Sequence, residues 1–171
     1  MIRLTMCVDV MIEDARWQDA GLEPLALAAA RASLAHLSIE IDDAELSVMG
    51  CDDARITTLN ADFREKPTAT NVLSWPAEDL GADIDGETPH TPSKDFAGSL
   101  ELGDIAISFD TCAREAAQAG KPMNDHVTHL IVHGVLHLLG YDHIRDQDAT
   151  LMETIEVQIL GKMGIDDPYK T

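Results

Sequence analysis

His126-Val127-Thr128-His129-Leu130-Ile131-Val132-His133-Gly134-Val135-Leu136-His137-Leu138-Leu139-Gly140-Tyr141-Asp142-His143 holds five of the chain's seven histidines. Its apolar residues recur at helical spacing, and Asn124 or Asp125 is suited to cap a helix that runs to about Leu139 and stops at Gly140. His133 and His137 are four apart, so on that helix their rings leave one face roughly 5–6 Å from each other. Two imidazoles at that separation can take neighbouring corners of a tetrahedral zinc, whose Zn–N bonds are about 2.0–2.1 Å. Gly140 permits a left-handed turn, which returns His143 toward the same point. Three neutral imidazoles leave one position for water, the arrangement of a catalytic zinc. His129 also precedes His133 by four, but a straight helix carries His129, His133 and His137 across about 12 Å at 1.5 Å per residue. The glycine turn directly follows His133 and His137, so these two with His143 are the expected metal ligands. His126 and His129 are expected to pack or to support the ligands from behind.

The spacing H-x3-H-x5-H equals that of the metzincin proteases, H-E-x-x-H-x-x-G-x-x-H. Gly134 stands where those enzymes carry the glutamate that serves as general base, which argues against peptide hydrolysis by that route. A glycine inside a helix is unfavourable by about 1 kcal/mol relative to alanine, and room for a bulky group beside the metal is one gain that would offset it.

On either side of the histidine segment the chain alternates strand and helix signals. Ile2, Leu4, Met6, Val8 and Val10 recur with period two, as a half-buried strand does. Glu23 to Leu37 is Ala- and Leu-rich, with Pro24 suited to a first helical turn. Ala44 to Met49 predicts a second strand ending at Gly50. Asp52 or Asp53 is placed to cap a helix reaching about Arg64, with Ile56, Leu59 and Phe63 inward. Asn71 to Trp75 predicts a third strand stopped by Pro76, and Leu100 to Ser108 a fourth. Asp110 to Ala119 predicts a short helix closed by Gly120, and the last helix runs from about Asp148 to Met163. Between the third and fourth strands, residues 77–99 are acidic, rich in Pro and Gly, and aperiodic, which predicts a mobile or functional loop. Four strands and about five helices, the helices crowded toward the end, predict an α+β fold: a small mixed sheet in a single domain over residues 1–171.

The chain of 171 residues is long enough to bury roughly 70% of the surface of its unfolded form, so it needs no metal merely to fold. Its 12 Lys and Arg against 31 Asp and Glu give a net charge of −19. That field repels polyanions over roughly 8 Å in physiological salt, which excludes a general nucleic-acid coat protein but not an enzyme with a local basic rim. Lys66, Arg64 and Asn71 are candidates for such a phosphate-binding rim. Cys7, Cys51 and Cys112 are odd in number and widely spaced, and are read as reduced thiols. No apolar run approaches the roughly 20 residues of a membrane span, and the first residues lack a signal-peptide core, so a cytoplasmic protein without membrane partners is expected.

The segment His133-Gly134-Val135-Leu136-His137-Leu138-Leu139-Gly140-Tyr141-Asp142-His143 resembles the hallmark H-G-x-L-H-L-x-G-Y-D-H of the YbeY family of bacterial endoribonucleases, without a mismatch. Leu59-Asn60-Ala61-Asp62-Phe63-Arg64, Lys66 and Ala69-Thr70-Asn71-Val72-Leu73-Ser74-Trp75-Pro76 resemble a second family element. Gly103-Asp104-Ile105-Ala106-Ile107-Ser108 resembles a third. The likeness runs from about residue 45 to Tyr169. Ala69 stands where the family has proline and Trp75 where it has phenylalanine, and the 77–99 loop is longer than usual. The resemblance implies a zincin-like metal helix packed against the sheet and one zinc ion per chain. It also implies zinc-dependent cleavage of single-stranded RNA in 16S ribosomal RNA 3′-end maturation and ribosome quality control, and catalytic roles for Arg64, His133, His137 and His143. The implied partners are ribosomal RNA and the small ribosomal subunit, with a ribosomal protein or a GTPase as a docked protein, and not DNA.

Arg64 suits a phosphate because guanidinium donors match phosphate oxygens in pairs. Asp142, beside His143, can either orient a histidine from behind or cap the turn that follows. Neither the general base nor the nucleophile is assigned by the sequence. Two rival readings stand beside the nuclease: a zinc hydrolase of another substrate, and a non-catalytic ribosome-assembly factor whose zinc only staples the last helices.

Overall fold

The computed structural model describes residues 6–39 and 42–170, with the backbone but not the side chains of Phe63 and Arg64. Among these residues four strands form one mixed sheet: β1 (Cys7–Ile12), β2 (Ala44–Cys51), β3 (Val72–Pro76) and β4 (Leu100–Ser108), in the order β1-β2-β4-β3. β1 and β4 both run parallel to β2, and β3 pairs antiparallel with β4 at the edge. The predicted alternation is seen in β1, where Val8, Val10 and Ile12 are more buried than Cys7, Asp9 and Met11. Ile2 and Leu4, which belong to the same expected strand, lie outside the described residues.

β4 is the strand that positions the rest. Its partner positions on β2 jump from Glu45↔Glu101 to Leu46↔Gly103, so one extra residue is inserted. A one-residue bulge exchanges the faces of everything beyond it. Leu100 and Leu102 before it, and Ile105 and Ile107 after it, therefore all enter the same core. Gly103 makes the bulge feasible. Its φ is +135°, and a Cβ there would lie 2.2 Å from the Trp75 carbonyl oxygen.

Among the described residues six helices surround the sheet: α1 (Arg16–Asp19), α2 (Leu22–His36), α3 (Asp53–Arg64), α4 (Phe109–Ala119), α5 (Met123–Leu138) and α6 (Asp146–Lys162). The four-residue α1 was not expected, being too short to show a period. The main core joins α2, α5 and α6 to one face of the sheet through Leu34, Ile105, Ile131, Val135 and Ile159. On the other face Ile56 of α3 packs with Cys51, Leu73 and Ala106. Asp52 caps α3 as expected, its carboxylate accepting the Arg55 N–H at 2.8 Å. α5 starts at Met123 after Pro122, ahead of the expected caps Asn124 and Asp125, which fall inside its first turn. Pro122, at the N-cap, presets its own φ where the helix begins, and no side chain caps it.

Gly134 faces the sheet. A Cβ there would lie 3.1 Å from Ile105 Cδ1. Close approach of α5 to β4 therefore explains this glycine, in place of the expected room for a bulky group beside the metal.

The 77–99 segment, expected to be mobile or functional, has no helix or strand and is hydrogen-bonded to the start of α6. Arg145 donates to the carbonyls of Ala82 and Asp83, and Asp148 accepts the Gly86 N–H. Asp85 accepts the Asp148 N–H at 2.8 Å, so the loop supplies the N-terminal cap that α6 does not carry itself. These partners are far away in sequence, so composition alone does not show them.

Candidate metal centre

α5 ends in a Schellman turn. Tyr141 N–H bonds the Leu136 carbonyl at 3.0 Å and Gly140 N–H the His137 carbonyl at 3.1 Å. Gly140 has φ +96°, and a Cβ on it would sit 2.6 Å from the Leu80 carbonyl carbon. The turn thus needs glycine twice, once for its backbone angle and once for the loop packed on it. It returns the chain so that the rings of His133, His137 and His143 face one another, with centroids 4.6, 5.3 and 5.1 Å apart. One nitrogen of each lies within 4.8 Å of the other two, a group that could hold a metal ion.

The His133 ring is oriented by a residue that the sequence analysis did not single out. Glu156 of α6 is completely buried, and its carboxylate meets His133 Nδ1, His129 Nε2 at 3.3 Å and the Tyr169 hydroxyl. A carboxylate can only accept, so His133 carries its proton on Nδ1 and presents a bare Nε2 to the cluster. Burial alone would raise the pKa of Glu156, but hydrogen bonds from His129 and His133 hold it at about 2. Burial first, then His133 and His143, push the His137 imidazole down to about 4, so it is neutral and able to donate a lone pair at neutral pH. Glu156 could have been found by period: it lies four residues after Met152 and four before Leu160, on the apolar stripe of α6 where an unpaired acid is costly.

His129, His133 and Glu156 form a second group with ligand-like spacing. Occupation of both groups would require His133 to bind through both nitrogens as an imidazolate, whereas one ion at His133, His137 and His143 leaves the His133 Nδ1–H donating to Glu156. His126 is held by Glu115 at 2.9 Å, so His126 and His129 both face carboxylates behind the cluster.

The three imidazoles open into a groove of about 1220 Å³ whose walls include Lys66, Asn71, Glu78, Asp79, Glu153 and Tyr169. Lys66 is exposed on the wall. It is placed by Asn60, whose side chain donates to the Thr68 carbonyl while its own carbonyl accepts the Lys66 N–H. Asn71, expected on the phosphate rim, has its amide committed at both ends: Nδ2 donates to Glu115 at 3.1 Å and Oδ1 accepts the Val72 N–H at 2.7 Å. These bonds anchor the start of β3, and Asn71 also lines the groove. Asp142 accepts the His143 backbone N–H at 2.7 Å with one of its two carboxylate oxygens. Arg64 is the last residue of α3, and its side chain lies outside the described residues.

Fold and site together define a class: small α+β proteins in which one helix and the turn after it present three imidazoles, able to hold a metal ion, to an open groove. Comparison with known proteins narrows it. The family profile described as Endoribonuclease YbeY matches residues 8–164. Proteins named Endoribonuclease YbeY are similar across nearly the full length. That of Ruegeria pomeroyi is 64% identical over 164 residues, 96% of this chain and 98% of the relative. That of Dinoroseobacter shibae is 54% identical, covering 96% and 91%. That of Rhodopseudomonas palustris is 43% identical, covering 94% and 90%. The chain belongs to the endoribonuclease YbeY family. The family match begins at residue 8, well before the motifs that first suggested it, and stops short of Tyr169. The solution structure of TM1509 from Thermotoga maritima shares the fold, with a TM-score of 0.54 at 18% identity over 96% of this chain and 99% of that one.

Proposed function

We propose that this chain is a zinc-dependent endoribonuclease of single-stranded RNA, acting in the cytoplasm in maturation of the 3′ end of 16S ribosomal RNA and in ribosome quality control. The observation that carries the reading is the convergence of His133, His137 and His143 on one point of an open groove, with His133 held from behind by Glu156. Zinc fits this donor set. Two nitrogens on a tetrahedral ion with bonds of about 2.05 Å stand about 3.3 Å apart, and Nε2 of His133 and of His137 are 3.0 Å apart. A zinc ion held there supplies Lewis acidity, polarising a phosphodiester oxygen and acidifying water.

The chain's own residues do the rest. Glu156 fixes the tautomer and direction of His133. Lys66 offers its ammonium to a phosphate in the groove, and Arg64, matched to the family's functional arginine, stabilises the charge that grows on phosphorus in the transition state. The walls also carry Glu78, Asp79 and Glu153, so the RNA is held at a few points near the imidazoles, not along a continuous basic track. A docked ribosomal protein or GTPase would supply further specificity. The three free thiols fit a reducing compartment, and no helix of the described residues is long and apolar enough to cross a membrane.

A purely structural zinc would have four protein ligands; among the described residues the histidine cluster offers three. A protease would need a base where Gly134 stands, and that position faces Ile105. The test is metal analysis together with cleavage of a structured ribosomal RNA fragment by the native protein, His137→Ala and Arg64→Ala. His137→Ala should lose both zinc and cleavage, and Arg64→Ala should lose turnover while keeping zinc. A zinc-free variant that cuts as well as the native protein would end this assignment.

A further inference from the structure

Beyond α6 the chain turns back along the groove. Lys121 Nζ donates to the Pro168 carbonyl at 3.3 Å, and Asp167 accepts the Tyr169 N–H at 2.8 Å. The tail delivers the Tyr169 hydroxyl to the Glu156 carboxylate, while the ring stands edge-on to His129 with centroids 5.6 Å apart and planes at 86°. Tyr169 also lines the groove. A phenol is protonated at neutral pH, so it donates and the carboxylate accepts. Glu156 thereby receives three donors, from α5 twice and from the tail once.

We infer that Tyr169 is a positioning residue for the metal centre: its hydroxyl fixes the Glu156 carboxylate, and Glu156 in turn aims the Nε2 of His133 into the cluster. A buried carboxylate has two oxygens to satisfy. With the hydroxyl absent, the carboxylate can rotate toward His129, and the pull on the His133 ring relaxes. Partners one step behind a ligand typically set metal affinity by about 10–100-fold; Tyr169 is two steps behind, and its effect belongs at the low end.

This inference rests on the zinc reading for its affinity readout but not for its structural one. Tyr169→Phe removes the hydroxyl and keeps the ring against His129; Tyr169→Ala removes both. Zinc dissociation constants from chelator competition should weaken roughly tenfold in both variants. In the metal-free protein, the His133 Nδ1–H proton resonance, displaced downfield by its carboxylate partner, should move in both. Tyr169→Phe with native zinc affinity and an unmoved resonance would overturn the proposal, and an effect confined to Tyr169→Ala would assign the role to ring packing instead. Should the native protein take up no zinc, the functional reading fails, and the resonance still decides whether Tyr169 orients this pair.

Discussion

His133 Nδ1 donates to the carboxylate of Glu156, a side chain with no exposed surface, from across 23 residues of sequence. The bond joins α5 to α6 and decides which nitrogen of His133 is bare. It converts a helix-spacing motif into a directed ligand. Glu156→Gln keeps the volume but removes the negative charge that favours the Nδ1 proton. Zinc affinity should fall by about 10–100-fold, read by competition with a chromogenic chelator. Native affinity in Glu156→Gln would show that helix geometry alone aims the ring.

The depressed pKa of His137 makes the metal-free protein sensitive to acid. In the unfolded chain the imidazole titrates near its ordinary 6.5, and in the fold at about 4. Between those values the unfolded state binds a proton that the folded state refuses, so stability falls as pH drops from about 6.5 toward 4. Glu156 adds a lower window, since its stabilising charge is fully present above 4.5 and is lost as pH approaches 2. Urea unfolding of the metal-free protein should therefore show a falling midpoint from pH 7 to pH 4, with a shallower fall in His137→Gln. Identical slopes in the two proteins would rule out His137 as the source.

Gly140 should tolerate no side chain. Alanine there meets both a left-handed φ of +96° and a carbonyl carbon 2.6 Å from its Cβ. The backbone angle alone is unfavourable by about 1–2 kcal/mol, and the collision with Leu80 adds to it. Gly140→Ala should lower the melting temperature and, by displacing His143, lower zinc occupancy as well. A variant that melts as the native protein does would mean the turn can reform around a Cβ.

Gly134 tests a different contact. Valine at this position would drive branched methyl groups into Ile105 at the tightest approach of α5 to β4. Overpacking of this kind destabilises by about 1–3 kcal/mol. Denaturant titration of Gly134→Val is the check, and a neutral result would place the glycine's value elsewhere.

Asp85 caps α6 from the acidic loop. Asp85→Ala should cost about 1 kcal/mol, as loss of an N-terminal cap does, and should raise hydrogen exchange in the first turn of α6 and in residues 82–86 together. Faster exchange in only one of the two segments would show that they are not coupled.

The sequence by itself determined the elements, the four-residue α1 excepted, and the metal motif, because both are local. Period two in Val8 and Val10, the Asp52 cap and Gly120 each act within a few residues. His133 and His137 share a face because four residues nearly complete a turn, and Gly140 announces the return of His143. Tertiary structure alone decided the rest. The bulge at Gly103, the facing of Gly134 toward Ile105 and the anchoring of the 77–99 loop on α6 depend on partners distant in the chain. Asn71 and Asp142 carry the right chemistry for the roles expected of them, and it is the fold that adds Glu115 as a partner of the Asn71 amide. Glu156 and Tyr169 reach the histidines only because α6 and the tail fold against α5. A buried carboxylate takes whichever donors surround it, and which donors those are is a matter of packing, not of sequence spacing.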